Sequence, residues 1–275
     1  AALATIIAQG TAFIVAVFYL NRTHELIKFN IRDFAFDWGL AKQSLRIGLP
    51  TGLQHTFVAL GMMALMGIVN GFGTNVVAAF TAAGSLDSLA IIPSMVFSTA
   101  LSTFVGQNIG AGKLDRVKKG LHRTMLMSSA TAIGITLLII LFKYPLMKLF
   151  TTDQDVIQIG GGYLTIVTSF YLLFTWMFIY GGVMRGAGDT IIPMFITLFS
   201  LWIIRIPAAV FLSQETIEVF GLTLKGLGLG PDGIWWAIPS GWGFGMILSF
   251  IYYKTGRWKT KTVVKVKVEP ATITR

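Results

Sequence analysis

Apolar residues in this chain fall into seven long, nearly unbroken runs, at 1–20, 47–70, 76–105, 122–142, 157–183, 191–213 and 233–253. Each is close to the roughly 20 residues that a helix needs to cross a bilayer. They are too long and too continuously apolar for the alternating strands of a membrane barrel. Inside lipid a helix satisfies its own backbone groups, so the pattern predicts seven transmembrane helices. Pro50, Pro93, Pro193, Pro207 and Pro239 fall within or at the ends of these runs. Membrane helices tolerate such breaks where neighbours satisfy the freed carbonyls.

Composition agrees. The 275 residues are 54% hydrophobic and 12% charged, with a mean hydropathy of +0.72. That is half the roughly 25% charge of a soluble domain, which excludes intrinsic disorder and an ordinary cytosolic enzyme. Cysteine is absent, so neither a disulfide framework nor a Cys-ligated zinc site is available. The opening AALATIIAQG has no Met and no charged segment before its apolar run. It reads as the middle of a larger protein, not as a signal peptide.

The net charge of +10 invites a nucleic-acid reading, but its distribution argues otherwise. Of the 22 basic residues, 18 lie in the connections 21–46, 106–123, 184–190 and 254–275, and only three in the alternate connections 71–75, 143–156 and 214–232. This asymmetry is the positive-inside pattern, placing the first set and the tail in the cytoplasm. Trp235 and Trp236 open the last span, and Tyr252, Tyr253 and Trp258 close it, as an interfacial aromatic belt would. The tail 259–275 is expected to lie solvated near anionic headgroups. The Gly-rich connection 214–232 is expected to be mobile, and no internal repeat is visible.

Charges inside the membrane are costly and mark functional candidates. Asp87 lies about 16 Å and Arg205 about 12 Å from the outer ends of their spans, at 1.5 Å per residue. The depths permit a structural ion pair; alternatively Asp87 binds a proton, cation or cationic substrate while Arg205 tunes it. Asp87 shares a helix face with Gly84, Ile91, Ser94, Ser98 and Ser102, a stripe that either packs closely on another helix or lines a wet cavity. Gln54 and His55 lie about 10–12 Å from the cytoplasmic end of the second span. His55 could relay protons, although a hydrogen bond to a neighbouring helix is the commoner role. Met62, Met63 and Met66 suit either packing or an adaptable surface. Phe170, Phe174 and Phe178 form a row expected to face lipid.

Enzyme-like patterns fail. GQNIGAGK at 106–113 resembles a phosphate loop, but its first Gly is out of register and Leu114 stands where a Ser or Thr would hold magnesium. His24, His55 and His122 lack metal-ligand spacing, and no GxSxG or HExxH occurs. No enzyme activity, metal or cofactor is expected.

GQNIGAGK closing a span, MRGAGDTIIPM at 184–194, RIPAAV at 205–210 and GLP at 48–50 together resemble the multidrug and toxic compound extrusion (MATE) family. LDSLAIIPSM at 86–95 resembles the corresponding helix of the DinF-like branch. The resemblance implies an all-α polytopic transporter of the cell membrane, with two six-helix lobes. Such a transporter exports organic, often cationic, compounds in exchange for protons or sodium ions. By that resemblance 1–20 is the last helix of a first lobe, 21–46 the cytoplasmic inter-lobe linker and 47–258 the second lobe. The partners implied are a small organic substrate, membrane lipid and the missing first lobe, with no nucleic acid. In some members a Glu in the helix after the linker helps bind the coupling cation. Thr56, Phe57, Val58 and Ala59 occupy that stretch here, so this site is not carried over. Asp87, Arg205, His55, Gln54, Ser94 and Ser98 are the candidate translocation residues. The wider superfamily includes lipid-linked saccharide flippases, the alternative function. A seven-span receptor shares only the helix count, and no Lys lies mid-span for a retinal Schiff base.

Overall fold

The structure is a computed structural model that describes residues 2–23, 36–219 and 222–260. Residues 24–35 of the expected linker and the tail beyond Thr260 lie outside the described residues. The chain divides into two compact units, Ala1–Ser44 and Leu45–Arg275.

In the first unit, helix α1 (Ala2–Thr23) is apolar all round, with Leu3, Phe13 and Ile14 all exposed. A helix of that kind needs lipid or a protein partner around it. Asp37 caps helix α2 (Trp38–Asn70), accepting hydrogen bonds from the backbone N–H groups of Gly39 at 2.6 Å and Leu40 at 3.1 Å.

The second unit continues with α3 (Thr74–Gly110), α4 (Leu114–Met147), α5 (Gln154–Thr168), α6 (Tyr171–Gly186) and α7 (Ile191–Leu198). A π-helical stretch, Phe199–Arg205, joins α7 to α8 (Ile206–Ser213), and α9 (Pro231–Thr255) ends in a 3-10 turn at Arg257–Thr260. Six helical stretches among the described residues are long and apolar enough to span a bilayer. Counting α5 and α6, bent by 48°, as one broken span makes seven. The bend has a local cause. Thr165, Thr168 and Ser169 each donate a side-chain hydrogen bond to the carbonyl four residues back, which competes with the helical ladder just before Phe170 leaves helical geometry. The preceding helix also kinks: Phe142 of α4 is non-helical (φ −110°) three residues before Pro145.

Three expectations change. The connection expected at 106–123 is mostly helix, because α3 runs to Gly110 and α4 begins at Leu114. Amphipathic basic turns extend a membrane helix into the interface, so charge alone did not mark its end. The connection 214–232 folds into an antiparallel hairpin, β1 (Thr216–Val219) and β2 (Leu222–Lys225), with Thr216 opposite Lys225. Beyond it the chain returns over the end of α8: the N–H groups of Leu227, Leu229 and Gly230 donate to Phe211, Leu212 and Ser213. Those carbonyls would otherwise be orphans of the helix terminus. A Cβ at Gly226 would collide with the Gln214 carbonyl, so glycine is required there.

The aromatic belt is the third. Trp235 is fully buried, stacked on Phe80 at 5.6 Å and edge-on to Tyr163 at 5.0 Å. Trp258 is 1% exposed, stacks on Tyr253 and donates its indole N–H to that residue's carbonyl at 2.9 Å. Both rings bury more area in the protein than an interface would cover; Trp236 is the exposed one.

Small residues set the closest helix contact. Gly182 and Gly186 of α6 lie against the backbone of Ser98 and Ser102 of α3. A smaller contribution comes from Asp153, which caps α5 by accepting from the N–H groups of Asp155 at 2.9 Å and Val156 at 3.3 Å. Asp153→Ala is expected to lower the stability of the purified protein by about 1 kcal/mol in a denaturant titration, with Asp153→Ser close to wild type.

Candidate functional site

Asp87 lies about a third of the way along the 37-residue α3, whose small-residue face points at α5 and α6. Its carboxylate accepts one hydrogen bond from the hydroxyl of Tyr171 and another, at 3.3 Å, from that of Tyr163. The two tyrosines flank the α5–α6 break, so the bend brings both phenols onto one acid. Tyr163 is held in turn by Trp235 and Phe80. Asp87 and Arg205 do not form a direct ion pair. The ion pair within 4 Å among the described residues is Asp115–Lys118, on the surface. Arg205 nevertheless lies within electrostatic reach of Asp87 and Tyr163.

Arg205 closes the π-helical stretch. Pro207 offers no N–H to the carbonyl of Ile203, and a wider turn lets a later N–H serve instead. Gly241 lets α9 approach, since a Cβ there would sit 3.0 Å from the Arg205 Cβ. Arg205 Nε is buried with no hydrogen-bond partner.

Beside these residues is a cavity of about 340 Å³, whose polar rim includes Gln54, His55, Ser98, Arg185 and Arg205. Gln54 donates to Thr197 Oγ1 at 2.8 Å. His55 is exposed on the rim and makes no hydrogen bond to another described residue, so the interhelical bond expected of it is not formed. Ser98 donates to the Phe178 carbonyl at 2.6 Å and accepts from Arg185 Nη2 at 2.9 Å. Ser94 is buried and shares a 2.8 Å hydrogen bond with Thr175, away from the cavity. The stripe is therefore chiefly a packing face, reaching the cavity only through Ser98.

Two of the three phenylalanines in the row turn into the cavity, while Phe170 is half-buried against the exposed Trp236. Phe174 is buried, its ring 4.3 Å from Phe178 and 5.1 Å from Trp242, and all three line the cavity. Met62 also lines it, whereas Met63 is largely exposed and Met66 packs against the core. Periodicity cannot separate a cavity-facing row from a lipid-facing one, because both are apolar.

A family model described as MatE matches residues 50–211, more than half of the chain. The chain belongs to the MATE family. Among the relatives, the probable multidrug resistance protein YpnP of Bacillus subtilis is 33% identical over 94% of this chain and 55% of its own length. The probable multidrug resistance protein NorM of Thermotoga maritima is 26% identical over 96% and 54%. A solved MOP superfamily transporter from Pyrococcus furiosus superposes with a TM-score of 0.81 at 20% identity, covering 93% of this chain and 55% of that one. The chain thus spans about half the length of the curated relatives it matches. The likeness shows the fold: an all-α, multi-pass membrane architecture consistent with one lobe of a MATE transporter.

The DinF-like assignment is overturned. Several of the relatives carry the NorM name, which favours a NorM-like branch. The LDSLAIIPSM stretch that suggested otherwise is shaped by local packing around Asp87 and Ser94, and ten residues of this kind do not report the branch.

Tyr163, Tyr171, Arg185 and Trp242 were missed by sequence reasoning. A mid-span tyrosine needs a partner for its hydroxyl, which is the signal that could have found the first two. Arg185 was counted with a connection, but α6 runs to Gly186 and the side chain reaches back to Ser98.

Proposed function

We propose that this chain supplies the second lobe of an ion-coupled antiporter that exports organic compounds across the cell membrane by alternating access. One observation carries the reading: a mid-span carboxylate, Asp87, held by two phenols with no direct ion-pair partner, beside a cavity of about 340 Å³. An acid so placed can take up a proton or a sodium ion. Loading it shifts Tyr171 and hence the wall formed by α6, so that cation and substrate bias the same two-state equilibrium. In this reading 1–20 is the last helix of the first lobe, 21–46 the linker, and 47–258 the second lobe, with a basic cytoplasmic tail at 259–275. The 18-to-3 split of basic residues supports a cytoplasmic C-terminus. Arg205, Gln54, His55 and Ser98 contact substrate, and Ser94 fixes the wall behind them. Lipid and the first lobe are the partners; no cofactor beyond the coupling ion is needed.

The test is dye accumulation in cells expressing this chain joined to a complementary first lobe, with and without a protonophore. Low accumulation that rises when the proton gradient collapses, or when sodium is replaced, is the expected result. Unchanged accumulation in correctly inserted protein would exclude antiport. One observation favours a second reading, a flippase for a lipid-linked saccharide: Arg185 joins Arg205 at the cavity, so the lining carries two guanidiniums.

A further inference from the structure

The cavity of this lobe carries two guanidiniums and no carboxylate. Its walls come from α2, α3, α6, α7, α9 and the segment between α7 and α8, and neither an Asp nor a Glu is among the residues lining it. Arg185 has Ser98 Oγ as its hydrogen-bond acceptor, a neutral oxygen whose own proton is committed to the Phe178 carbonyl. Arg205 has a buried Nε with no acceptor at all. Asp87 does not relieve either of them directly. Its oxygens accept from Tyr163 and Tyr171, it makes no contact within 4 Å with a basic group, and it does not line the cavity. The same lining includes Phe174, Phe178, Met177 and Trp242, an aromatic and thioether surface.

A cation entering such a space would meet like charge and find no acid to pair with. An anion would find a planar fork of donors matched to its two oxygens, and would relieve the cost of a buried, unpaired charge. The geometry points to an anion subsite: Arg185 and Arg205 take the carboxylate, sulfonate or phosphate of an amphiphile whose apolar body lies on Phe174, Phe178 and Trp242. The assignment names the substrate class of the export reading above and rests on it for direction and coupling, but binding can be read without transport. It differs from the cationic substrate that the family resemblance implies.

The test uses the full chain in nanodiscs of zwitterionic lipid and three dansyl-alkyl probes identical except for a carboxylate, carboxamide or trimethylammonium head. Tryptophan-sensitised dansyl emission reports binding. The carboxylate probe is expected to bind at least roughly tenfold more tightly than the ammonium probe, the scale of a charge-assisted hydrogen bond in a desolvated site. Arg185→Gln and Arg205→Gln are each expected to remove most of that preference, with Arg185→Lys keeping part of it. Equal or tighter binding of the ammonium probe, or a preference that survives both Gln substitutions, would overturn the subsite. The probe comparison needs no variant, and Arg185→Gln alone suffices if Arg205→Gln does not fold. Adding phosphatidylglycerol separates the sources. Displacement of the carboxylate probe identifies a lipid headgroup as the anion, and undisturbed binding identifies a soluble amphiphile. Anion preference without gradient-driven export would remove the antiport reading and leave the subsite. Gradient-driven export of a cationic dye without anion preference would do the reverse.

Discussion

Replacing Asp87 by Asn in the two-lobe transporter is expected to cut gradient-driven dye export by roughly tenfold or more while leaving insertion and fold intact, since it deletes a hydrogen-bonded charge without changing shape. Tyr163 and Tyr171 both donate to the carboxylate, and an amide oxygen can still accept from one of them. The lobe therefore keeps its packing, and the loss falls on whatever needs the negative charge. Tyr171→Phe keeps the charge but removes a donor, so its defect should be smaller. The readout is export against an imposed pH or sodium gradient in proteoliposomes, with thermal unfolding as the control. Wild-type export by Asp87→Asn would reduce Asp87 to a packing element tying α3 to the α5–α6 bend.

The same geometry sets what Arg205 does. Because no direct ion pair joins it to Asp87, neutralising both residues should not restore what neutralising one loses, as it would for a contact pair. A double-mutant cycle reading close to additive loss would agree with the phenols as the immediate partners of the acid.

The spans were legible because the bilayer imposes one length scale on every helix that crosses it, and a lone carboxylate among apolar residues stands out against that background. Arg205 and Asp87 were visible for this reason. Their partners were not. Tyr163 and Tyr171 are separated from Asp87 by 76 and 84 residues in sequence, and only the α5–α6 bend, produced by three hydroxyl back-bonds, brings them together. Arg185 was invisible as a cavity residue because its side chain reaches back along α6 from a position that charge counting assigned to a loop. Phe174 and Trp235 show the remaining limit: hydropathy states that a residue avoids water, and the choice among lipid, core and cavity belongs to tertiary packing.

That packing depends on how closely α3 and α6 approach, and Gly186→Val is expected to show it. A Cβ at Gly186 would overlap the Ser102 carbonyl and lie 2.9 Å from the Val105 Cβ. Backbone atoms cannot rotate aside as a side chain could, so the helices must separate or tilt. The cost is expected to be about 1–3 kcal/mol or somewhat more, the range for overpacking a close contact, seen as a lower unfolding midpoint of the purified protein. Gly134→Ala is the matched control: nothing lies within 4 Å of its added Cβ. There the helix-propensity gain of roughly 0.5–1 kcal/mol should leave stability unchanged or raised. The two substitutions thus differ in sign although both fill a helical glycine. Separation of α3 from α6 at Gly186 also pulls Ser98 from Arg185 one turn away, so anion binding should weaken together with stability in Gly186→Val and stay intact in Gly134→Ala. Wild-type stability of Gly186→Val would mean that the spacing of the two helices, and with it the width of the cavity, is set elsewhere.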